Sequence, residues 1–273
     1  MIVVKLIGGL GNQMFQYAAA KALALEKNQK LRLDVSAFES YKLHNYGLNH
    51  FNITAKIYKK ENKWLRKIKS FFKKNTYYKE QDFGYNPDLF DLKADNIFLE
   101  GYFQSEKYFL KYEKEIRKDF EIISPLKKQT KEMIEQIQSV NSVSIHIRRG
   151  DYLTNPIHNT SKEEYYKKAM EFIESKIENP VFFVFSDDMD WVKENFKTNH
   201  ETVFVDFNDA STNFEDLKLM SSCKHNIIAN SSFSWWGAWL NKNPNKIVIA
   251  PKQWFNDDSI NTSDIIPESW IKI

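Results

Sequence analysis

The sequence predicts an α/β protein of two domains, each a doubly wound parallel sheet with helices on its faces. Its 273 residues are enough for two domains of roughly 130 residues each. A hydrophobic fraction of 42% and an aromatic fraction of 15% supply the apolar side chains of two cores. Segments of two-residue hydrophobic period alternate with segments of helical period, and this alternation is typical of parallel sheets. We place the domain boundary at Pro125, which gives domains 1–125 and 126–273.

The first domain begins with a β-α-β unit. The run IVVKLI predicts a strand, GGLGN a turn, QMFQYAAAKALALEKN a helix and LRLDV a second strand. Residues 38–95 are aromatic and lysine-rich and show no regular period. IFLEGYF at 97–103 predicts another strand, and a helix is predicted from Glu106 to about Arg117.

After Pro125 the alternation becomes regular. The predicted strands are 143–148, 181–185, 203–207, 226–230 and 246–251. The predicted helices are 127–138, 162–177, a helix that begins at Asp188, 213–222 and 232–241. We therefore expect two facing Rossmann-like domains with a cleft between them. Ligands of such folds bind outside the carboxyl ends of the strands.

Composition excludes several classes of protein. The single cysteine, Cys223, rules out an intramolecular disulfide and a metal cage built from cysteines. No apolar run approaches the roughly 20 residues of a membrane span, and the N-terminal run is too short for a signal peptide. A net charge of +3 is too small to indicate nucleic-acid binding. We expect a cytoplasmic protein with no nucleic-acid partner.

Positive charge is concentrated in residues 56–79, where ten Lys or Arg residues accompany one acidic residue. Trp64, Ile68 and Phe72 recur every four residues within this segment, which predicts an amphipathic helix. A basic amphipathic helix is typical of a segment that lies on an anionic membrane surface. The alternative, which the pattern favours somewhat, is a helix that packs on its own domain with its lysines in solvent. The sequence leaves both interpretations open.

The run VSIHIRRGDY at 143–152 presents cationic side chains at the end of a predicted strand. His146 and Arg148 leave the same face of the strand, and Gly150 allows the chain to turn after Arg149. The planar guanidinium of arginine suits a phosphate group. The alternative is a structural ion pair with Asp151 that stabilises the turn.

Polar residues also end two other predicted strands of the second domain. Asp187 follows strand 181–185, and its carboxylate can accept two N–H bonds from a guanine edge. Ser231 and Ser232 lie at the start of a predicted helix, where hydroxyls cap the helix or help its N–H groups bind a phosphate. Together with the arginines, these residues suit a sugar-nucleotide diphosphate.

Two short patterns carry less information. Asp188 and Asp190 form an Asp-x-Asp pair, the pattern by which many sugar transferases bind a divalent metal, but Asp188 also suits a helix N-cap. Because arginines can neutralise the diphosphate, we expect no metal. The turn GGLGNQ at 8–13 matches neither the dinucleotide fingerprint nor a Walker loop, although it lets Asn12 reach a cleft. His44 and His158 lie in polar loops and are candidates for acceptor contacts.

Five segments resemble bacterial α-1,2-fucosyltransferases of glycosyltransferase family 11. They are GGLGNQMFQYAAAKAL, LEGYFQSEKYF, HIRRGDY, DLKLMSSCKHNIIANSSFSWWGAWLN and VIAPKQW, in that order along nearly the whole chain. The resemblance implies a GT-B fold, in which an N-terminal acceptor-side domain faces a C-terminal domain that binds GDP-β-L-fucose. It also implies an inverting, metal-independent reaction that uses GDP-fucose as a substrate and needs no cofactor.

The same resemblance implies roles for individual residues. Arg148 would bind the donor diphosphate and stabilise the leaving group, His146 would contact the nucleotide and Asp187 the guanine. The remaining implied donor contacts are Arg149, Ser231, Ser232, Asn12 and Gly11. The candidate acceptor contacts are Gln104, Glu100 and His44, and the sequence leaves the general base open between Asp151 and Glu100.

The function expected from this resemblance is transfer of L-fucose to the 2-hydroxyl of a terminal galactose. The acceptor would be an oligosaccharide or a lipid-linked glycan of polysaccharide or O-antigen biosynthesis, with a peripheral membrane contact through 56–79. One alternative is a fucosyltransferase with another acceptor position or a protein acceptor. Another is a non-catalytic module that binds a nucleotide or a glycan.

Overall fold

A computed structural model of the chain describes residues 1–39, 44–59, 74–150, 155–158, 160 and 162–273. The chain divides into two compact units. Unit 1 comprises Met1–Ile123 and Asn261–Ile265, and unit 2 comprises Ser124–Ile260 and Ile266–Ile273. The segment Asn261–Ile265, which the sequence boundary places in the second domain, belongs to unit 1. Each unit is an α/β fold around a parallel sheet, as predicted.

The described sheet of unit 1 is parallel and has five strands. They are β1 (Ile2–Lys5), β2 (Leu31–Asp34), β3 (Lys56–Ile57), β4 (Asn75–Lys79) and β5 (Asn96–Glu100). Their spatial order is β3-β2-β1-β5-β4, so the direction of winding reverses between β1 and β5. Helix α1 (Leu10–Glu26) buries an alanine-rich face, and the short α2 (Glu113–Asp119) ends the unit's main segment.

The prediction of one amphipathic helix over 56–79 is wrong at both ends of that segment. Lys56–Ile57 pairs with β2, and Asn75–Lys79 pairs with β5 over its whole length. Pairing with a neighbouring strand overrides a helical period when the two patterns conflict. The positions that suggested the helix, Trp64, Ile68 and Phe72, lie outside the described residues. The predicted helix from Glu106 starts instead as two 3₁₀ turns, Glu106–Tyr108 and Leu110–Tyr112, before α2.

The described sheet of unit 2 is parallel and has six strands. They are β6 (Asn141–Ile147), β7 (Pro180–Ser186), β8 (Thr202–Phe204), β9 (His225–Ile227), β10 (Val248–Ala250) and β11 (Ile271–Lys272). The order β11-β10-β9-β6-β7-β8 reverses its winding between β6 and β9. The helices are α3 (Lys128–Ser139), α4 (Glu163–Glu174), α5 (Met189–Asn195), α6 (Asn213–Ser222) and α7 (Ser232–Leu240).

The two faces of β6 have different environments. Val143, Ile145 and Ile147 pack in one apolar cluster with residues of α4. His146 points to the opposite face, where its ring lies 5.9 Å from that of Phe233 in α7. The two-residue period of the strand therefore directs His146 toward α7.

Helix α7 is held at its C-terminal end and packs closely on α6. Lys246 Nζ donates to the carbonyl oxygens of Ala238 and Asn241 at 2.8 and 2.9 Å, which satisfies the C-terminal end of the helix. A Cβ on Gly237 would lie 2.9 Å from Met220 Cβ, so α6 and α7 approach closely at this glycine. The N-terminus of α7 follows the end of β9 after a short connection. None of the helices in the described ranges combines the length and apolar character that crossing a bilayer requires.

Candidate functional site

The candidate residues of unit 2 lie where the strand order of its sheet reverses. Arg148 and Arg149 directly follow β6, and Ser231 lies between β9 and α7. In open α/β sheets this reversal is the usual position of a bound ligand. The order of strands therefore brings together residues about 80 positions apart in the sequence.

Asp187, which directly follows β7, binds the turn 148–150 after β6, which we call the arginine turn. Its Oδ2 lies 3.0 Å from Arg148 Nη1, and its Oδ1 accepts the backbone N–H of Arg149 at 2.9 Å. A Cβ on Gly150 would lie 2.3 Å from Asp187 Oδ2, so a glycine is needed for this approach. An ion pair therefore stabilises the turn, and its acidic partner in the described residues is Asp187. Asp151 lies outside the described residues, and its predicted catalytic role stays a prediction.

Arg149 is held on two sides. Its Nε donates to Asp188 Oδ2 at 3.1 Å, and its guanidinium carbon lies 3.3 Å from the centroid of the Trp191 ring. Among the described residues, the two terminal nitrogens of this guanidinium have no hydrogen-bond partner. A planar cation fixed in this way presents a preformed fork for an oxyanion. No sequence pattern pointed to Trp191, which lies one helical turn after Asp188.

Asp188 occupies the predicted N-cap position of α5, but its side chain makes no cap hydrogen bond. The carboxylate binds Arg149 instead, and the backbone N–H of Asp188 donates to Ser186 Oγ at 3.0 Å. In the part of the chain that the structure describes, no group of three or more His, Cys, Asp or Glu side chains could hold a metal ion. The metal independence of the reaction stays a prediction.

His146 is a buried, neutral imidazole. It is 6% exposed, and no described group hydrogen-bonds its Nδ1. Burial, and then the positive charge of Arg148, lower the pKa of His146 to about 3. The ring is therefore neutral and only weakly basic at neutral pH, and its neutral form offers one donor and one acceptor. A buried polar atom with no partner is consistent with a ligand contact.

The hydroxyl of Ser231 does not cap α7. Ser231 occupies the N-cap position without a side-chain cap bond, and its carbonyl accepts the N–H of Trp235 at 3.0 Å. Ser232 is the first residue of the helix. The amide of Asn230 donates to the carbonyls of His158 and Trp254, at 2.8 and 2.9 Å, and so fixes the chain just before the helix. An uncapped helix N-terminus of this kind suits an anion.

A second group of predicted residues lies at the winding reversal of unit 1, between β1 and β5. Gly8 has a φ of +77°, and a Cβ there would lie 2.7 Å from Asn12 Nδ2. Gly11 and Asn12 are in the first turn of α1, whose N-cap, Gly9, provides no side-chain cap. Gln104 Nε2 donates to Asn12 Oδ1 at 2.9 Å. The structure therefore brings Asn12 and Gln104 into direct contact.

Two further acceptor candidates, His44 and Glu100, lie in the same unit, whereas His158 lies in unit 2. The His44 ring lies 3.6 Å from where a Cβ on Gly9 would be, and Glu100 binds Lys5 Nζ at 3.2 Å. Gln13, for which no sequence pattern predicted a role, connects two parts of this region. Its Nε2 donates to the carbonyls of Gly8 and Asn45, each at 2.9 Å, and its Oε1 accepts the N–H of Gly47 at 2.9 Å. Gln13 thereby joins the glycine turn to the loop that carries His44.

Asp216 is a titratable group that sequence reasoning also missed. It lies in the first turn of α6, after β8, and its Oδ1 accepts from Asn208 Nδ2 at 2.7 Å. Burial raises the pKa of Asp216 to about 7, against the lowering effect of the Asn208 bond and of Lys127. This carboxyl group therefore changes charge near neutral pH.

Comparison with known proteins agrees with the resemblance found in the sequence. The family model described as Glycosyl transferase family 11 matches residues 1–273. The alpha-1,2-colitosyltransferase of Escherichia coli is 39% identical over 100% of this chain and 99% of its own length. The O-antigen biosynthesis glycosyltransferase WbnK of Escherichia coli is 34% identical over 98% of this chain and 99% of its own length. Human galactoside alpha-(1,2)-fucosyltransferase 1 is 26% identical over 85% of this chain and 63% of its own length.

Solved structures show a similar fold. POFUT1 in complex with GDP-fucose superimposes with a TM-score of 0.55 at 14% identity, covering 91% of this chain and 97% of that one. The fucosyltransferase NodZ from Bradyrhizobium gives a TM-score of 0.50 at 14% identity, covering 86% of this chain and 91% of that one. These likenesses concern the GT-B-like fold, whereas the family match covers the whole sequence. The chain belongs to glycosyl transferase family 11.

Proposed function

We propose that this protein transfers L-fucose from GDP-β-L-fucose to the 2-hydroxyl of a terminal galactose, with inversion at the fucose C1. The observation that carries the proposal is the arginine turn after β6, where Asp187 binds Arg148 and Trp191 with Asp188 binds Arg149. Two oriented guanidinium groups at a reversal of strand order suit a diphosphate. The names of the relatives, which include α-1,2-colitosyl and α-(1,2)-fucosyl transferases, support the linkage.

In this proposal, unit 2 binds the donor. The terminal nitrogens of Arg149 and the guanidinium of Arg148 bind phosphate oxygens, and the N-terminus of α7, with Ser231 and Ser232, supplies further N–H and O–H donors. His146, neutral and with an unpartnered Nδ1, contacts the nucleotide. Asp187 acts on the donor through Arg148, and a guanine contact by its carboxylate is the alternative. Contacts of Gly11 and Asn12 with the diphosphate also stay predictions.

The chemistry follows from where charge develops. Breaking the C1–O bond of fucose leaves an oxocarbenium-like sugar and a diphosphate, and a positioned donor such as Arg148 stabilises that leaving group by about 3 kcal/mol. The galactose hydroxyl attacks from the opposite face and converts β to α. A carboxylate takes the hydroxyl proton in this proposal, since His146 is buried, has a lowered pKa and is assigned to the nucleotide. Asp151 and Glu100 are the two proposed bases, and Glu100 is bound to Lys5.

We assign the acceptor to unit 1, with Gln104 and His44 as its contacts. Neutral amides suit neutral sugar hydroxyls, and the described arginines that suit a diphosphate lie in unit 2. The acceptor is a galactose-terminated oligosaccharide or lipid-linked glycan, as the O-antigen relative suggests. A membrane contact through 56–79 also belongs to the proposal.

A second candidate donor has a specific observation in its favour. The Escherichia coli relative at 39% identity is a colitosyltransferase, and colitose is fucose without its 3-hydroxyl. A colitose donor with the same nucleotide would use the same arginine turn. The protein would therefore distinguish the two donors only through its contacts with the 3-hydroxyl of fucose.

One incubation separates these functions. The protein is supplied with GDP-fucose or GDP-colitose and lactose, and the product is analysed for mass and linkage, with Arg148→Ala as the control. An α-1,2-linked fucosyl product supports the proposal, and preference for GDP-colitose supports the second candidate. A product linked at another hydroxyl would refute the proposed acceptor position. Calorimetric binding of GDP without transfer to any acceptor would identify a non-catalytic module.

A further inference from the structure

Glu80 binds a backbone turn at the end of the neighbouring strand in unit 1. It directly follows β4, and its side chain reaches residues 101–103 after β5. Its Oε2 accepts the backbone N–H of Tyr102 at 2.6 Å, and both of its oxygens lie 3.0 Å from the N of Phe103. A carboxylate that accepts two successive N–H groups fixes the direction of the backbone there.

The turn that Glu80 binds is strained. Phe103 has a φ of +53°, a conformation that bulky side chains rarely adopt. Such a conformation persists when the surroundings over-determine it, and it is common at binding sites. A Cβ on Gly101 would lie 2.4 Å from Glu80 Cβ and 2.7 Å from Glu80 Oε2, so the carboxylate fits only against a glycine. Phe103 itself is buried, with its ring against Tyr108 at 5.6 Å.

The residue that follows this turn is Gln104. It is 6% exposed, its Nε2 donates to Asn12 Oδ1 at 2.9 Å, and no described group hydrogen-bonds its Oε1. The carbonyl oxygen of a buried amide with no partner is available to accept one hydroxyl hydrogen. Tyr102, in the same turn, stacks on Phe83 at 5.8 Å with an interplanar angle of 9°. Aromatic rings beside a single oriented polar group are typical of a small-molecule site.

We propose that Glu80 is a positioning residue of the acceptor site. Its carboxylate fixes the turn 101–103, and the turn directs Gln104 Oε1 toward a hydroxyl of the acceptor sugar. The inference rests on the proposed transfer to a galactoside, because it assigns Gln104 to the acceptor. Glu80 acts through the backbone and does not contact the acceptor.

The test compares Glu80→Gln with Asp88→Asn. Glutamine keeps the size of the side chain but replaces one accepting oxygen with an NH₂ group. Asp88 is an exposed acid of the same unit, and its carboxylate accepts no hydrogen bond from the described residues. With lactose and the donor that the wild type uses, we expect Glu80→Gln to lower kcat/KM for lactose about tenfold or more and to change the donor KM less than about twofold. An equal effect on both substrates would overturn the inference.

A double-mutant cycle with Gln104→Ala tests the proposed route. If Glu80 acts through Gln104, then Glu80→Gln should lower kcat/KM for lactose less than about twofold once Gln104 is alanine. Multiplying effects would indicate a general structural role and overturn the inference.

Hydrogen exchange provides a readout that needs no activity. Glu80→Gln should speed exchange of the Phe103 amide at least about tenfold and leave the amides of β1 unchanged. Unchanged exchange at Phe103 would overturn the inference. A wild type that transfers no sugar would refute the proposed function, and the exchange result would then decide whether Glu80 fixes the turn.

Discussion

Replacing Asp187 with asparagine separates two roles for that carboxylate. In one role it orients Arg148, and in the other it contacts a guanine. The ion pair is 3.0 Å long, and its side chains are 27% and 23% exposed. A buried hydrogen bond to a charged group contributes about 1.5–3 kcal/mol, which solvent lowers to about 1 kcal/mol at this exposure. If the one oxygen of asparagine accepts the Arg149 N–H, its NH₂ group faces Arg148 and cannot accept from that guanidinium.

We expect kcat of Asp187→Asn to fall about tenfold to a hundredfold, because a displaced Arg148 loses part of the roughly 3 kcal/mol that such a donor contributes to the transition state. The preference for GDP over ADP should stay the same, because the nucleobase is remote from this ion pair in the proposed complex. The assay combines steady-state transfer kinetics with calorimetric titration of GDP and ADP. Asp190→Asn, an exposed acid in the first turn of α5, is the control and should behave like the wild type.

Two results would refute this reasoning. A fall in GDP affinity that removes the preference over ADP, with kcat preserved, would assign Asp187 to the guanine. Wild-type kinetics in Asp187→Asn would show that Arg148 is oriented without its partner.

Three further predictions concern the same unit. Arg148→Ala should lower kcat about 10²–10³-fold. Arg148→Lys should not restore kcat, because an ammonium cannot reproduce the planar guanidinium fork. Near-wild-type steady-state rates for the lysine variant would contradict this role of the guanidinium. Transfer should survive excess EDTA; loss of activity that Mn²⁺ restores would reassign Asp188 and Asp190 as metal ligands. Burial raises the pKa of Asp216 from an ordinary 3.8 to about 7. Between these two pH values the Asp216 carboxyl is protonated in the folded state and ionised in the unfolded state. The free energy of unfolding should therefore fall as pH rises through this window, less so in Asp216→Asn, and parallel curves of thermal midpoint against pH would contradict the shift.

Local hydrophobic period was enough to predict the central elements of both units. The strands around Val143 and Phe183 and the helix Asn213–Ser222 were predicted because each buries a continuous face of its own. The strands that were missed are β3, β4 and β11, which lie at sheet edges. Two of them have only two residues each, too few to show a period.

The candidate site shows the same division. The sequence by itself determined that two arginines follow a strand and that two serines begin a helix, and the parallel alternation placed these ends at one edge of a sheet. The sequence also determined the family, because the family model matches residues 1–273. Which side chains meet was decided only by the tertiary structure.

The Asp187 bond to the Arg149 N–H spans 38 residues, the Glu80 bonds to the turn 101–103 span 22 and 23, and the Gln104–Asn12 bond spans 92. Local period reports which face of an element is buried, because burial acts on each element separately. Hydrogen bonds between distant side chains depend on the order of strands in the sheet, and no local pattern encodes that order.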